Sequence, residues 1–118
     1  MTEKIIGCAI KVHRALGPGL LESAYEICLA HELQNAGMKV ERQLALPVIY
    51  ENIRLDAGYQ LDLVVEDEVI LELKAVEQIQ PIHEAQLLTY LRLKNRKVGL
   101  IINFNVTLLK NGIKRIVN

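Results

Sequence analysis

The chain has 118 residues, the size of one ordinary domain, and 51% of them are hydrophobic, enough to line a single core. Charged residues make up 24% and there are only seven Gly and three Pro, which excludes disordered, collagen-like and linker-rich chains. Net charge is zero, yet all 14 acidic residues lie within the first 84 positions, and the segment 85–118 carries basic residues alone. Segregation of this kind suits an acidic metal pocket paired with a basic track for a polyanion, or simply two solvated faces.

From Glu3 to Leu16, Ile6, Ala9, Ile10 and His13 recur at i, i+3, i+4 and i+7, which predicts an amphipathic helix stopped by Gly17-Pro18-Gly19. The start Met-Thr-Glu-Lys has neither the apolar stretch nor the cleavage site of a signal peptide, so a cytoplasmic location is expected. A second helix is expected from about Leu20 to Ala36, with Leu21, Ala24, Cys28 and Leu29 as its buried stripe and Gly37 as a left-handed cap. Cys8 and Cys28 fall in these helical patterns. Two cysteines without companion ligands make neither a disulfide framework nor a zinc cage, so they read as small core residues.

The next forty residues read as β-structure. Met38, Val40, Arg42 and Leu44 alternate, Pro47 interrupts, and Val48 to Leu55 allows a strand or a hairpin near Glu51-Asn52. Tyr59 to Val65 and Val69 to Lys74 are stronger strands flanking the charged turn Glu66-Asp67-Glu68. Pro81 then opens a helix running to about Asn95, with Ala85, Leu87, Leu88 and Leu91 on its packed side. Val98 to Ile102 reads as a strand covered on both faces, and an Asn111-Gly112 turn precedes a last strand, Ile113 to Val117. No apolar run is long enough to span a membrane, since Val98 to Phe104 is broken by Gly99 and Asn103. The fold expected is a single α/β (α+β) domain over residues 1–118, with two helices ahead of a central mixed sheet that helices flank.

If Glu66-Asp67-Glu68 is the turn, Val65 faces Val69 and each outward step brings Asp62 opposite Glu72. Opposed side chains on one sheet face stand about 4.5–5.5 Å apart at Cβ, close enough for two carboxylates to hold one divalent cation. Lys74 shares that face, and Leu61, Leu63, Leu71 and Leu73 are expected to point the other way into the core. Opposed like charges destabilise a sheet, so the pattern points to a cation between them or to a solvent-facing pair balanced by Lys74. On the helix after Pro81, the residues His83, Gln86, Tyr90, Lys94 and Lys97 fall along one polar stripe, fit to meet phosphate oxygens or to be merely solvated.

Asp62, nine residues, then Glu72-Leu73-Lys74 resembles the D…(D/E)xK core of the PD-(D/E)xK nuclease superfamily. Gln86 and Tyr90 resemble the QxxxY motif of its exonuclease-like branch. Gly19-Leu20-Leu21-Glu22-Ser23-Ala24-Tyr25 resembles the signature of the GxxExxY protein family, and the likeness extends over nearly the whole chain. Leu61 stands where many superfamily members have the proline of a P-D pair, a departure that removes no ligand.

The resemblance implies a restriction-endonuclease-like core and a metal-dependent nuclease acting on nucleic acid, DNA first. Asp62, Glu72, the Leu73 backbone carbonyl and Glu22 would hold Mg²⁺ or Mn²⁺, with Glu22 a direct ligand or a holder of water in the ion's shell. Lys74 would orient the attacking water, Gln86 would position the water or the metal shell, and Tyr90 would contact a phosphate. Lys94, Lys97 and His83 would bind the nucleic-acid backbone. Tyr25 is either part of this site or a core ring with its hydroxyl bonded. A domain this small has little surface with which to grip a duplex, so a homodimer or a larger protein partner is expected to complete the channel. A non-catalytic nucleic-acid-binding or scaffold module, and an enzyme acting on nucleotides, are the competing readings; the intact Asp62, Glu72, Lys74, Gln86 set weighs against the module.

Overall fold

The computed structural model describes residues 1–55 and 58–118. Helices α1 (Thr2–Leu16) and α2 (Glu22–Asn35) precede strands β1 (Val40–Ala45), β2 (Val48–Tyr50), β3 (Ile53–Leu55), β4 (Gln60–Val65) and β5 (Val69–Lys74). Helix α3 (Pro81–Lys94), β6 (Val98–Asn103), a one-turn 3-10 helix (Leu109–Gly112) and β7 (Ile113–Val117) complete the chain. Five strands form one sheet in the order β1-β4-β5-β6-β7, and β2 and β3 form a separate hairpin. Strands β5 and β6 are parallel and the other neighbours antiparallel. A parallel pair needs a crossover, and α3 is that crossover. The result is the α+β architecture expected, and among the described residues no helix is long and apolar enough to cross a membrane.

Both faces of the sheet are covered, which makes β5 and β6 near-continuous apolar runs. On one face Ile5, Ala9 and Val12 of α1 and Tyr25, Leu29 and Leu33 of α2 pack on Leu63, Val65, Leu71, Leu73, Leu100 and Ile102. On the other, Leu87, Tyr90 and Leu91 of α3 pack on Val64, Ile70 and Ile101.

Several expectations need correction. In α1, Ala9 and His13 are buried as predicted, but Ile5 and Val12 complete the stripe and Ile6 and Ile10 are half-buried. Helix α2 begins at Glu22, leaving Leu21 ahead of it and 78% exposed, because the stripe that meets the sheet is Tyr25, Leu29 and Leu33. On α3 it is Leu87, Tyr90 and Leu91 that are buried, whereas Ala85 is exposed. Leu61 packs under α3 and not with Leu63 and Leu71. Its ladder partner Leu44 follows Gln43, whose φ of 50° lies in the left-handed region and twists this end of the β1–β4 pair. Finally, β7 spans Ile113–Val117 as expected, and Asn111-Gly112 ahead of it closes a 3-10 helix. Gly112 is required there because a Cβ would strike the Asn103 carbonyl oxygen.

Candidate active site

The turn between β4 and β5 sets the register of everything that follows. Glu66 and Asp67 both have positive φ, 54° and 52°, and Glu68 N–H donates to the Val65 carbonyl at 3.0 Å. The ladder then pairs Val65 with Val69, Val64 with Ile70 and Leu63 with Leu71, as the turn position predicts, and stops there. Beyond it the Asp62 carboxylate takes the place of the next rung: Leu73 N–H donates to Asp62 Oδ2 at 2.8 Å. Within an extended strand the N–H and C=O of one residue point the same way, so the Leu73 carbonyl is also directed toward Asp62.

Glu72 lies on the opposite face of β5 from Leu71 and Leu73, and it is only 7% exposed. Its Oε1 is buried without a hydrogen-bond partner. A buried carboxylate oxygen in this state costs stability unless something positive meets it. Burial, and then the charge of Asp62, push its carboxyl up to about 8, against the opposing pull of Lys74 and the Asp62 N–H. Burial also raises Asp62, offset by the Leu73 N–H and by Lys74, while the charges of Glu26 and Glu22 add to the rise. Each carboxyl is thus raised by burial, and each is pulled back down by Lys74.

The other predicted residues divide into two groups. Lys74, half-buried at the end of β5, is within electrostatic reach of both carboxylates. Tyr90 packs with Leu61, Ile70 and Ile101, the last being the ladder partner of Glu72. Burial raises its hydroxyl, and the charges of Glu72, Tyr59 and Asp62 raise it further. Gln86 is exposed one helical turn before Tyr90, on the same wall of α3. Glu22 is exposed at the first residue of α2, near enough for its charge to act on Asp62 and Glu72. Among the described residues, however, no three His, Cys, Asp or Glu side chains converge into one cluster, so Glu22 stands at the rim.

The second group is Lys94 and Lys97, at the other end of the sheet, and His83, whose side chain is engaged at the start of α3. Asn95 adopts a left-handed conformation and ends α3, so Lys97 is off the helix and the predicted stripe breaks there. Lys94 lies 3.9 Å from Asp67, in the β4–β5 turn. Lys97 borders the same end of the sheet, beside Glu68 and Val69. Val69 pairs with Val98 whereas Glu72 pairs with Ile101, which puts that end about 10 Å down the strands from the carboxylates. The side chain of His83 is occupied at the start of α3, where Nδ1 accepts the Gln80 N–H at 3.0 Å in a capping box.

Tyr25 is a core ring, stacked on Phe104 at 4.3 Å, and its hydroxyl donates to Gly17 O at 2.6 Å and accepts Leu20 N–H at 3.1 Å. It anchors the loop that presents Glu22. Sequence reasoning missed Glu26, buried at 6% and fully partnered: Arg42 donates to Oε2 at 3.0 and 3.2 Å, and Gln43 to Oε1. Its signal was a carboxylate in register with Leu29, Ala30 and Leu33 on the buried stripe of α2. Asn103 was missed too: it clamps the loop after Lys74, accepting Val76 N–H at 3.1 Å and donating to Val76 O at 2.8 Å.

A family model described as the PD-(D/E)XK nuclease superfamily matches residues 1–116. No curated protein and no solved structure matches the chain.

Proposed function

Because the chain belongs to the PD-(D/E)XK nuclease superfamily, we propose that it hydrolyses phosphodiester bonds of nucleic acid, DNA first, with a divalent cation at the Asp62–Glu72 pair. The observation that carries this reading is Glu72 Oε1, buried and unpartnered beside a second carboxylate. The residues fit a cation: Asp62 has one oxygen engaged by the Leu73 N–H, Glu72 has an open one, and the Leu73 carbonyl is directed to the same gap. An all-oxygen donor set favours Mg²⁺ or Mn²⁺ over zinc. Such an ion supplies charge neutralisation and polarisation of a phosphoryl oxygen.

The chain supplies the rest. Lys74 orients the attacking water and stabilises the charge that builds on the phosphate. Tyr90, held over the pair by the α3 core, meets a phosphate oxygen, and Gln86 one turn earlier positions water. Glu22 holds water at the rim. The segment Gly19 to Tyr25, which resembles the GxxExxY signature, then has a physical purpose: Tyr25 fixes the loop and Glu22 projects from it. Incubation of wild type and a Glu72→Ala/Lys74→Ala variant with linear, circular and single-stranded DNA and with RNA tests the reading. Cleavage that needs Mg²⁺ or Mn²⁺, stops in EDTA and is lost in the variant is expected; equal cleavage by both proteins overturns it.

A further inference from the structure

The wall of α3 that carries Gln86 and Tyr90 opens onto a groove of about 380 Å³ whose other lining residues have no part in the hydrolytic reading. Val48 and Leu55 of the β2–β3 hairpin, Tyr59 ahead of β4, and Ile82 of α3 supply its apolar sides. Tyr59 is 45% exposed, and its ring stands 6.5 Å from that of Tyr90 at a tilt of 60°. Tyr90 closes the inner end, packed on Leu61, Ile70 and Ile101, which adjoin Asp62 and Glu72 in strand or ladder. Through Tyr90 the groove adjoins the strands that carry the carboxylate pair.

The chemistry of its lining selects the occupant. Among the described residues that line it none is charged, so it is no seat for a phosphate. A flat π-surface meets two tyrosine rings and aliphatic walls, and the exposed Gln86 amide offers both a donor and an acceptor to a polar edge. A nucleobase has that form. Bases in an intact duplex are stacked and closed to such a groove, whereas those of a single strand, a frayed end or a flap are free to enter.

We propose that this groove is a nucleobase subsite, holding one unstacked base of a single-stranded nucleic acid next to the phosphate presented to Asp62 and Glu72. The proposal rests on the nuclease reading and names its substrate class: single strands and unpaired ends ahead of closed duplex.

Fluorescence anisotropy tests it without turnover, using Glu72→Gln protein in EDTA with a labelled single-stranded DNA oligonucleotide, its RNA counterpart and the blunt DNA duplex of the same sequence. Binding is read apart from cleavage, so failure of the hydrolytic reading and failure of the subsite are separate results. A single strand, DNA or RNA, is expected to bind about tenfold more tightly than the duplex. Adding Tyr59→Ala is expected to weaken single-strand binding about fivefold or more, the loss of one stacked base. Tyr59→Phe keeps the ring and is expected to restore the affinity, with duplex binding unchanged throughout. Equal affinity for single strand and duplex overturns the proposal, as does a Tyr59→Ala protein that melts like its parent and binds single strands as well. Light scattering that shows a dimer lost on Tyr59→Ala, with single-strand binding intact, assigns the groove to a second copy and overturns it too.

Discussion

Two buried glutamates show how the site can be told from the scaffold. Glu26 and Glu72 are 6% and 7% exposed. Glu26 has both oxygens satisfied by Arg42 and Gln43, which makes it a structural group of the α2–β1 interface. Glu72 has an open oxygen beside a second carboxylate, an arrangement that costs stability. The cost depends on pH. The Glu72 carboxyl is raised from its ordinary 4.5 to about 8, so the folded protein keeps a proton that the unfolded chain has already lost. The stability this confers is complete below about 4.5, declines as pH rises, and is gone once pH passes about 8; the raised Asp62 carboxyl acts in the same direction. Thermal melts in EDTA are therefore expected to show wild type losing stability between pH 5 and 8. Glu72→Gln is expected to melt higher than wild type at pH 8, and a wild-type melting temperature flat across that interval would contradict the assignment. The Asp62–Glu72–Lys74 set was legible in the sequence because strands alternate with a period of two and the charged turn names its own centre. Glu26 was not, because a carboxylate on a helix's apolar stripe is ambiguous until its partners on another element are seen.

At the scale of elements, the β4–β5 hairpin and the α3 crossover do the positioning. The hairpin's two left-handed turn residues fix the register, and the ladder ends one rung early so that Asp62 caps Leu73. Helix α3 packs close on β6, and Gly99 permits the approach. A Cβ there would lie 2.9 and 3.0 Å from the Leu87 methyls and 3.1 Å from the Ile70 carbonyl oxygen. Leu87 is fully buried, and the Ile70 oxygen belongs to the backbone of β5 and cannot swing aside. Gly99→Ala is thus expected to destabilise the fold by about 1–3 kcal/mol in urea unfolding, the cost of overpacking a core; an unchanged unfolding midpoint would show that α3 sits less tightly than described. Element boundaries and the hairpin register were legible from turn residues and periodicity. The path of Leu61 was not, because a positive φ at Gln43, in the neighbouring strand, bends that corner of the sheet. Nor was the break after Lys94, since helical spacing carried on to position 97 assumes a helix that Asn95 ends.

Across the whole molecule, the uneven charge along the chain is not one basic track leading to the acidic pair. Arg96 donates to Asp67 at 3.0 Å and holds that carboxyl below its usual range, Lys94 stands at the same acid, and Lys114 lies 3.5 Å from Glu84. Much of the C-terminal positive charge thus answers acids from earlier in the chain, a tertiary pairing that no linear count reveals. These exposed pairs carry little energy each. The Arg96 and Lys94 pairs lie at the turn end of the sheet, whereas Lys114 stands on the rung of Ile101 and Glu72 and is held by Glu84. Lys94→Ala/Lys97→Ala is accordingly expected to leave the cleavage rate within about twofold of wild type, whereas Lys74→Ala is expected to cost about 100-fold or more, the scale of a lost charge-stabilising group. Equal losses from both would mean that the substrate runs the length of α3.

Whether Asp62 and Glu72 form one divalent-cation site is read by calorimetric titration of Mn²⁺ into wild type and Glu72→Gln at pH 7, in two buffers of different ionisation enthalpy. A single ion is expected to bind with release of about one proton, because a carboxyl raised to about 8 must lose its proton to coordinate, and the variant is expected to lose both the binding and the proton. No binding to wild type, or binding that survives in Glu72→Gln, would contradict it.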